Sequence, residues 1–123
     1  MPKCDMPICD FFDLFYIGEA ETSYRALLDL YKECKENNFV RKDFLQRAAM
    51  IPGIYVPSLY EVTYKKDGTI RERIPLLEGI PAVIVKELEK DVSHTYYPEK
   101  PVVPFIKVTQ DRVVLEIQRG CMI

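Results

Sequence analysis

Prolines set the strongest limit on what this chain can fold into. Five of its nine prolines lie between residues 75 and 104, at Pro75, Pro81, Pro98, Pro101 and Pro104. Proline has no N–H to donate within a helix or a central strand, and it disfavours helix in the residue before it. The pattern predicts a surface linker across this part of the chain, with the compact elements on either side of it.

Composition excludes several classes of protein. The 123 residues suffice for one modest domain or for parts of two, and 48% of them are hydrophobic. The net charge of -2, with no Lys/Arg run beyond two residues, gives no footprint for nucleic acid. No apolar stretch approaches the roughly 20 residues of a membrane helix, and the first residues lack the apolar core of a signal peptide. We therefore expect a cytoplasmic protein with neither a membrane nor a nucleic acid as partner.

The first third of the sequence has the pattern of a strand followed by a helix. Leu14 to Ile17 is a short apolar run that predicts a buried strand, and Thr22 or Ser23 can cap the helix that follows. Asn37-Asn38 is a stop signal for that helix. Residues at helical spacing predict one inward apolar face. Those residues are Tyr24, Leu27, Leu28, Tyr31 and Cys34.

A second helix and a hairpin follow. Arg41 to Met50 has a helical pattern with Phe44, Leu45 and Ala48 inward, and Pro52 ends it. Tyr60–Tyr64 and Thr69–Ile74 alternate around Asp67-Gly68, which is the signal for a type I′ hairpin turn.

The remaining elements are less clearly marked. The spacing of Ile84, Leu88 and Val92 suits a helix, but the β-branched residues from Val83 to Val85 favour a strand over Val83–Val92. Phe105–Thr109 and Val113–Ile117 are predicted as the last two strands. The whole pattern predicts an α+β fold: a strand–helix unit, a second short helix, a β-hairpin and further strands, as an incomplete portion of a larger α/β protein.

Few residues have the pattern of a chemical site. The four cysteines, Cys4, Cys9, Cys34 and Cys121, fit neither a disulfide framework nor paired zinc ligands, so free thiols are expected in a reducing cytosol. For Cys4 and Cys9 the alternative is a partial metal clip or a redox pair. Cys34 is expected in the core. His94, the one histidine, has no evident carboxylate partner and is expected to be structural or exposed. Glu19 and Glu21 could form a carboxylate pair, but favourable charge at a helix start explains them as well.

Several segments in order resemble one family, the cobalamin-binding-domain-containing radical S-adenosylmethionine (radical-SAM) proteins. The resemblance covers most of the chain from Cys9 onward. The segments are Asp10-Phe-Phe-Asp13, Tyr16-Ile-Gly-Glu-Ala-Glu21, Ile51-Pro-Gly-Ile-Tyr-Val-Pro-Ser-Leu-Tyr60, Tyr96-Tyr-Pro-Glu-Lys-Pro101, Val103-Pro-Phe-Ile106 and Asp111-Arg-Val-Val-Leu-Glu-Ile-Gln-Arg-Gly-Cys121.

The resemblance implies a domain organisation. In that family the Gly-Glu-x-Glu turn closes the cobalamin-type domain, and an inter-domain segment contains Pro-Gly-x-Tyr-Val-Pro. The corresponding regions here are residues 1–38 (last strand and helix of the cobalamin-type domain), 39–104 (connector with a short helix and the hairpin) and 105–123 (first strand of the catalytic barrel, truncated).

The resemblance also implies cofactors and one metal ligand. Arg-Gly-Cys opens the motif Cys-x-x-x-Cys-x-x-Cys, so Cys121 corresponds to the first ligand of a 4Fe-4S cluster, whose open iron binds S-adenosylmethionine in the complete protein. Only this first cysteine of the motif is present. Whether the complete protein also binds cobalamin is left open, and no cofactor is expected on this chain alone.

Two hypotheses about function follow. In the first, the chain is a fragment of a radical-SAM oxidoreductase-type enzyme that reductively cleaves S-adenosylmethionine, and the fragment itself is inactive. In the second, it is a self-sufficient, non-catalytic α+β interaction or structural module. A severed barrel strand would expose backbone groups, so self-association through Val102-Val103 and Val113–Ile117 is also expected.

Overall fold

A computed structural model describes residues 8–100, 102–107, 109, 116 and 119. Two units divide between Glu89 and Lys90. The first unit contains two helices and two small antiparallel sheets, which confirms the α+β class. In the part of the chain that is described, no helix has the length and apolar character needed to cross a membrane.

The first helix is longer at its start than predicted. Strand β1 is Phe15–Tyr16 and helix α1 is Ala20–Glu36, with Glu19 at the N-cap position. The predicted capping by Thr22 or Ser23 is wrong, because both residues lie inside the first turn; Thr22 Oγ1 donates to the Glu19 carbonyl at 3.1 Å. The predicted stop is confirmed: Asn37 N–H donates to the Glu33 carbonyl, and Asn38 has a φ of 62°.

Helix α2 spans Arg41–Ala48, two residues shorter than predicted. Its residues Phe44, Leu45 and Ala48 are buried, as predicted. Arg47 connects α2 to α1, because its Nη2 donates to both carboxylate oxygens of Glu33, at 2.9 and 3.0 Å.

The core forms where both helices meet the segment after α2. Strand β2, Ile54–Tyr55, pairs antiparallel with β1, and Ile54, Tyr55 and Val56 are almost completely buried. The predicted inward face of α1 is only partly right: Leu27 and Cys34 are buried, but Tyr24, Leu28 and Tyr31 are exposed. The core residues are Leu27, Leu30, Cys34, Phe44, Leu45, Ala48, Ala49, Ile54, Tyr55, Val56, Leu59, Tyr60 and Ile80.

The predicted hairpin is confirmed, but its turn type is not. Strands β3 (Tyr60–Tyr64) and β4 (Ile70–Pro75) pair antiparallel, with a register shift between Thr63 and Tyr64. A type I′ turn needs a positive φ at both central residues, and only Gly68 of the predicted Asp67-Gly68 pair has one, at 83°. The Gly68 N–H donates to the Lys65 carbonyl, which makes Lys66 and Asp67 the central residues of a wider turn.

The hairpin turn gives a prediction about one carboxyl group. The Thr69 hydroxyl and the Thr69 N–H donate to Asp67 Oδ1 at 2.7 and 3.0 Å, and these bonds hold the pKa of Asp67 below its ordinary 3.8. These bonds stabilise the folded state at pH values above the ordinary pKa of Asp67. That stabilisation is lost as the pH falls through the lowered pKa of the folded state. We expect Thr69→Val to raise the pKa of Asp67 toward 3.8 in an NMR titration. Thr63→Val is the control; equal pKa values in both variants would contradict this account.

The strand predicted over Val83–Val92 is wrong. This segment has no helix or strand up to Lys90, apart from one parallel bridge between Gly18 and Glu87, because the chain runs along the unit surface and pairs at a single point. In the second unit, a 3-10 turn spans Val92–His94.

The two last predicted strands have different outcomes. The described residues of Phe105–Thr109 are not in a strand, which corrects that prediction there. The strand predicted over Val113–Ile117 lies outside the described residues, apart from Glu116.

Candidate functional site

The Gly-Glu-x-Glu and Pro-Gly segments of the sequence meet in the first unit. Here β1, the start of β2 and the segment around Glu87 come together; we call this the glycine junction, made of Gly18, Gly53 and Glu87. The Ile17 N–H donates to the Gly53 carbonyl at 2.7 Å, and the Glu87 N–H donates to the Ile17 carbonyl at 3.0 Å. A third hydrogen bond in the glycine junction is donated by the Glu19 N–H to the Glu87 carbonyl at 2.9 Å.

Both glycines of the junction are required by the local geometry. A Cβ on Gly18 would lie 2.2 Å from the Glu87 carbonyl oxygen, and Gly18 has a φ of 131°. A Cβ on Gly53 would lie 2.7 Å from Glu87 Cγ, and Gly53 has a φ of 77°. Since side chains are excluded at these distances and dihedrals, the two glycines permit the close approach of three backbone segments.

A tyrosine hydroxyl joins the start of α1 to the junction. Tyr16 Oη donates to the Glu19 carbonyl at 2.8 Å and lies 3.0 Å from Ser23 Oγ and 3.1 Å from Thr22 Oγ1. Ser23 Oγ donates to the Pro52 carbonyl at 2.9 Å. This polar network orients the α1 start relative to the Pro52-Gly53 turn.

The two predicted carboxylates lie at the start of α1. Glu19 is the N-cap residue, and its carboxylate accepts the Glu89 N–H at 2.7 Å. Glu21 lies in the first turn of α1, where its charge is favourable near the positive end of the helix dipole. The helix-start interpretation agrees with this geometry, and Glu19 has a further role in fixing the end of the Glu87 segment.

A cleft of about 500 Å³ opens beside α2. The ion pair of Arg41 with Asp13 crosses it, and this carboxylate holds the pKa of the Arg41 guanidinium above its ordinary value. Each charge of this pair is neutralised by the other, and the cleft has one further ionisable carboxyl group, that of Asp10. Its lining residues are Cys9, Asp10, Phe11, Phe12, Asp13, Arg41, Leu45, Pro57 and Ser58.

The cysteines have three different outcomes. Cys34 is a free thiol buried in the core, as predicted, with Arg47 Nη1 at 3.7 Å from its sulfur. Cys9 is disulfide-bonded, so the expectation of a free thiol there is wrong. Cys4 and the predicted metal ligand Cys121 lie outside the described residues.

The described residues do not fit an iron–sulfur cluster. Among them, no group of three or more His, Cys, Asp or Glu side chains is placed to hold a metal ion. Cys34 is enclosed by the core, and the disulfide of Cys9 removes its thiolate. No step of a reaction is therefore assigned to a cluster in this part of the chain.

His94 has a carboxylate partner that the sequence did not indicate. Its Nε2 lies 3.3 Å from Asp91 Oδ2 within the 3-10 turn, and its side chain is largely exposed. The predicted exposure is confirmed, and the absence of a carboxylate partner is corrected. Asp91 and His94 are three residues apart in the sequence, and this spacing could have indicated the contact between their side chains.

A cationic contact at the edge of the core has no counterpart among the sequence predictions. The Arg73 guanidinium lies 5.1 Å from the ring centre of Tyr55 and 5.4 Å from that of Tyr60. The alternation of β3 and β4 predicts which residues share a face, and the pairing of Val62 with Arg73 places Arg73 on the face of Tyr60.

Comparison with known proteins gives one finding. Residues 4–57 match the family model described as radical SAM proteins, N-terminal. The matched range contains β1, both helices, β2 and both glycines of the junction. No curated protein and no solved structure matches the chain significantly. The family match supports a radical-SAM assignment for the matched region, which is less than half of the chain.

Proposed function

We propose that this chain is a non-catalytic part of a radical-SAM iron–sulfur enzyme and that Cys121 is the first thiolate ligand of its 4Fe-4S cluster. The family match over residues 4–57 carries the proposal, and Arg119-Gly120-Cys121 follows downstream. The complete enzyme would reductively cleave S-adenosylmethionine in the cytoplasm, with cobalamin as a further cofactor to be tested. The predicted regions 1–38, 39–104 and 105–123 are part of this proposal.

The chain is proposed to be inactive alone because of its ligand count. Three thiolates hold a cluster of this type and leave the fourth iron open. Of the three cysteines in the cluster motif, the 123 residues contain only the first, Cys121. We predict that the coding sequence of the complete protein places cysteines four and seven positions after Cys121.

The glycine junction supports a structural role for the matched region. Hydrogen bonds at Ile17, Glu19 and Glu87 fix the end of β1 to a segment about 70 residues later in the chain. Such closure at long sequence separation holds the elements on both sides in one arrangement.

Anaerobic reconstitution with iron and sulfide tests the proposal. The 123-residue chain is compared with a longer polypeptide that continues past Ile123. We expect the longer form to develop a 4Fe-4S absorption spectrum and to cleave S-adenosylmethionine, and the 123-residue chain to do neither. A cluster with cleavage activity in the short chain would refute its inactivity, and a longer form that binds no iron would refute the radical-SAM assignment.

A non-catalytic α+β module is the second candidate, favoured by the continuous core of the first unit. Native-state hydrogen exchange distinguishes this module from the proposed enzyme fragment. Uniform cooperative protection from Phe11 to Ile117 would support the module. Poor protection of residues 105–123 would support a barrel strand that lacks its neighbours.

Self-association is a separate proposal. Val102 and Val103 are exposed but form no strand, so Val113–Ile117 is the remaining segment predicted to expose strand edges. We expect the weight-average mass from light scattering to rise with concentration. A constant monomer mass throughout the series would contradict this.

A further inference from the structure

Helix α1 has more apolar surface than the first unit covers. Tyr24, Leu28 and Tyr31 are between 37% and 53% exposed, and their spacing of four and three residues places them on one side of the helix. We call these three residues the α1 stripe. It lies roughly a quarter-turn around the helix from the buried residues. Those buried residues are Leu27, Leu30 and Cys34.

Neighbouring rings hold both tyrosines of the α1 stripe in place. The Tyr24 ring packs edge-on against Tyr16, with ring centres 5.2 Å apart, and the Tyr31 ring packs edge-on against Phe44 at 5.6 Å. Leu28 lies between the two tyrosines on the helix. Because the tyrosines are already ordered, they lose little conformational entropy when a partner covers them.

A charged residue continues the α1 stripe at each end. Glu21 precedes Tyr24 by three positions and Lys35 follows Tyr31 by four, and both charged side chains are exposed. The Lys35 ammonium lies 5.8 Å from the ring centre of Tyr31, which places it at this end of the stripe. The alternation of three and four from Glu21 to Lys35 is the spacing of a coiled-coil seam. This seam is acidic at one end, apolar in the middle and basic at the other.

We propose that the α1 stripe binds the same stripe on a second copy of this chain, with the two helices antiparallel and a two-fold axis at Leu28. In this register the two Leu28 side chains meet each other, and Tyr24 of each copy meets Tyr31 of the other. Glu21 of each copy then meets Lys35 of the other, at both ends of the contact. This inference does not depend on the proposed enzyme.

The charges favour a second copy in this orientation. A parallel pair of helices would place Glu21 beside Glu21 and Lys35 beside Lys35, and like charges at these positions repel. The antiparallel pair converts both ends into attraction and also places the two helix dipoles in opposite directions. One pair of 17-residue helices lies near or below the ~1,200 Å² at which specific, stable interfaces begin. We therefore expect a reversible dimer with a dissociation constant of about 10–1,000 μM.

Charge reversals test the contact by sedimentation equilibrium of the 123-residue chain. Glu21→Lys and Lys35→Glu each place like charges at both ends of the helix pair, so each variant alone should dimerise at least about tenfold more weakly than the parent. An equimolar mixture of the two variants restores opposite charges at both ends and should dimerise within about threefold of the parent. Leu28→Asp, an exposed position on the two-fold axis, should abolish the dimer.

Asp29→Lys is the matched control, because it makes the same change in net charge away from the α1 stripe. It should change the dissociation constant less than about twofold. Far-ultraviolet circular dichroism shows that each variant keeps α1. A parent chain that stays monomeric up to about 1 mM, or folded variants whose mixture does not dimerise, would overturn the proposal. Association that neither Leu28→Asp nor the charge reversals change would also overturn it, and would assign self-association to Val113–Ile117 instead.

Discussion

Gly18→Ala will destabilise the first unit by about 3–4 kcal/mol, which is a large part of the stability of a domain this small. The added Cβ would lie 2.2 Å from the carbonyl oxygen and 2.5 Å from the nitrogen of Glu87. Both are backbone atoms, which cannot rotate away from the Cβ as a flexible side chain can. The junction must open, which breaks the bonds of Glu87 to Ile17 and Glu19. Guanidinium unfolding followed by far-ultraviolet circular dichroism measures the change.

Gly68→Ala is the matched control. Gly68 also has a positive φ, of 83°, but no atom lies within 4 Å of its added Cβ. The variant therefore carries only the conformational cost of a left-handed alanine, about 1–2 kcal/mol. Equal losses in the two variants would contradict the close approach at Gly18.

Tyr55→Ala will cost about 3–5 kcal/mol, the range for removing a large buried aromatic side chain. Tyr55 is 1% exposed, and its ring lies 5.1 Å from that of Tyr60 and 6.3 Å from that of Phe15. Truncation leaves a cavity between β2, β1 and β3 and removes one ring from beside Arg73. Thermal unfolding followed by near-ultraviolet circular dichroism reports this loss.

Tyr96→Ala provides the control for aromatic truncation. Its side chain is 88% exposed, so the free energy of unfolding should stay within about 0.5 kcal/mol of the parent value. A loss at Tyr55 as small as that at Tyr96 would mean that β2 does not form the centre of the core.

Short sequence patterns correctly predicted the elements that depend on contacts between residues close together in the sequence. Asn37-Asn38 ends α1, the apolar spacing of α2 identifies its buried residues, and alternation around Asp67-Gly68 identifies the hairpin. Each depends on residues a few positions apart in sequence. The α+β class followed from these elements.

Contacts between distant residues explain what the sequence did not predict. The choice of which apolar residues of α1 face inward depends on where α2 and β2 pack, so Leu28 and Tyr31 were misplaced. The Val83–Val85 run favours a strand locally, but within the described part of the chain its segment pairs only through the bridge at Glu87. At the candidate site, the sequence marked Gly18 and Glu19 as a motif, whereas their partners Glu87 and Glu89 lie about 70 residues away.

The most direct test of the proposed enzyme is a cysteine exchange in the longer polypeptide. Cys121→Ala is compared with Cys34→Ala, whose thiol is buried in the core. After anaerobic reconstitution, the account predicts that Cys121→Ala loses both the 4Fe-4S spectrum and S-adenosylmethionine cleavage, while Cys34→Ala retains both. A Cys121→Ala protein with a full cluster and undiminished cleavage would contradict the account.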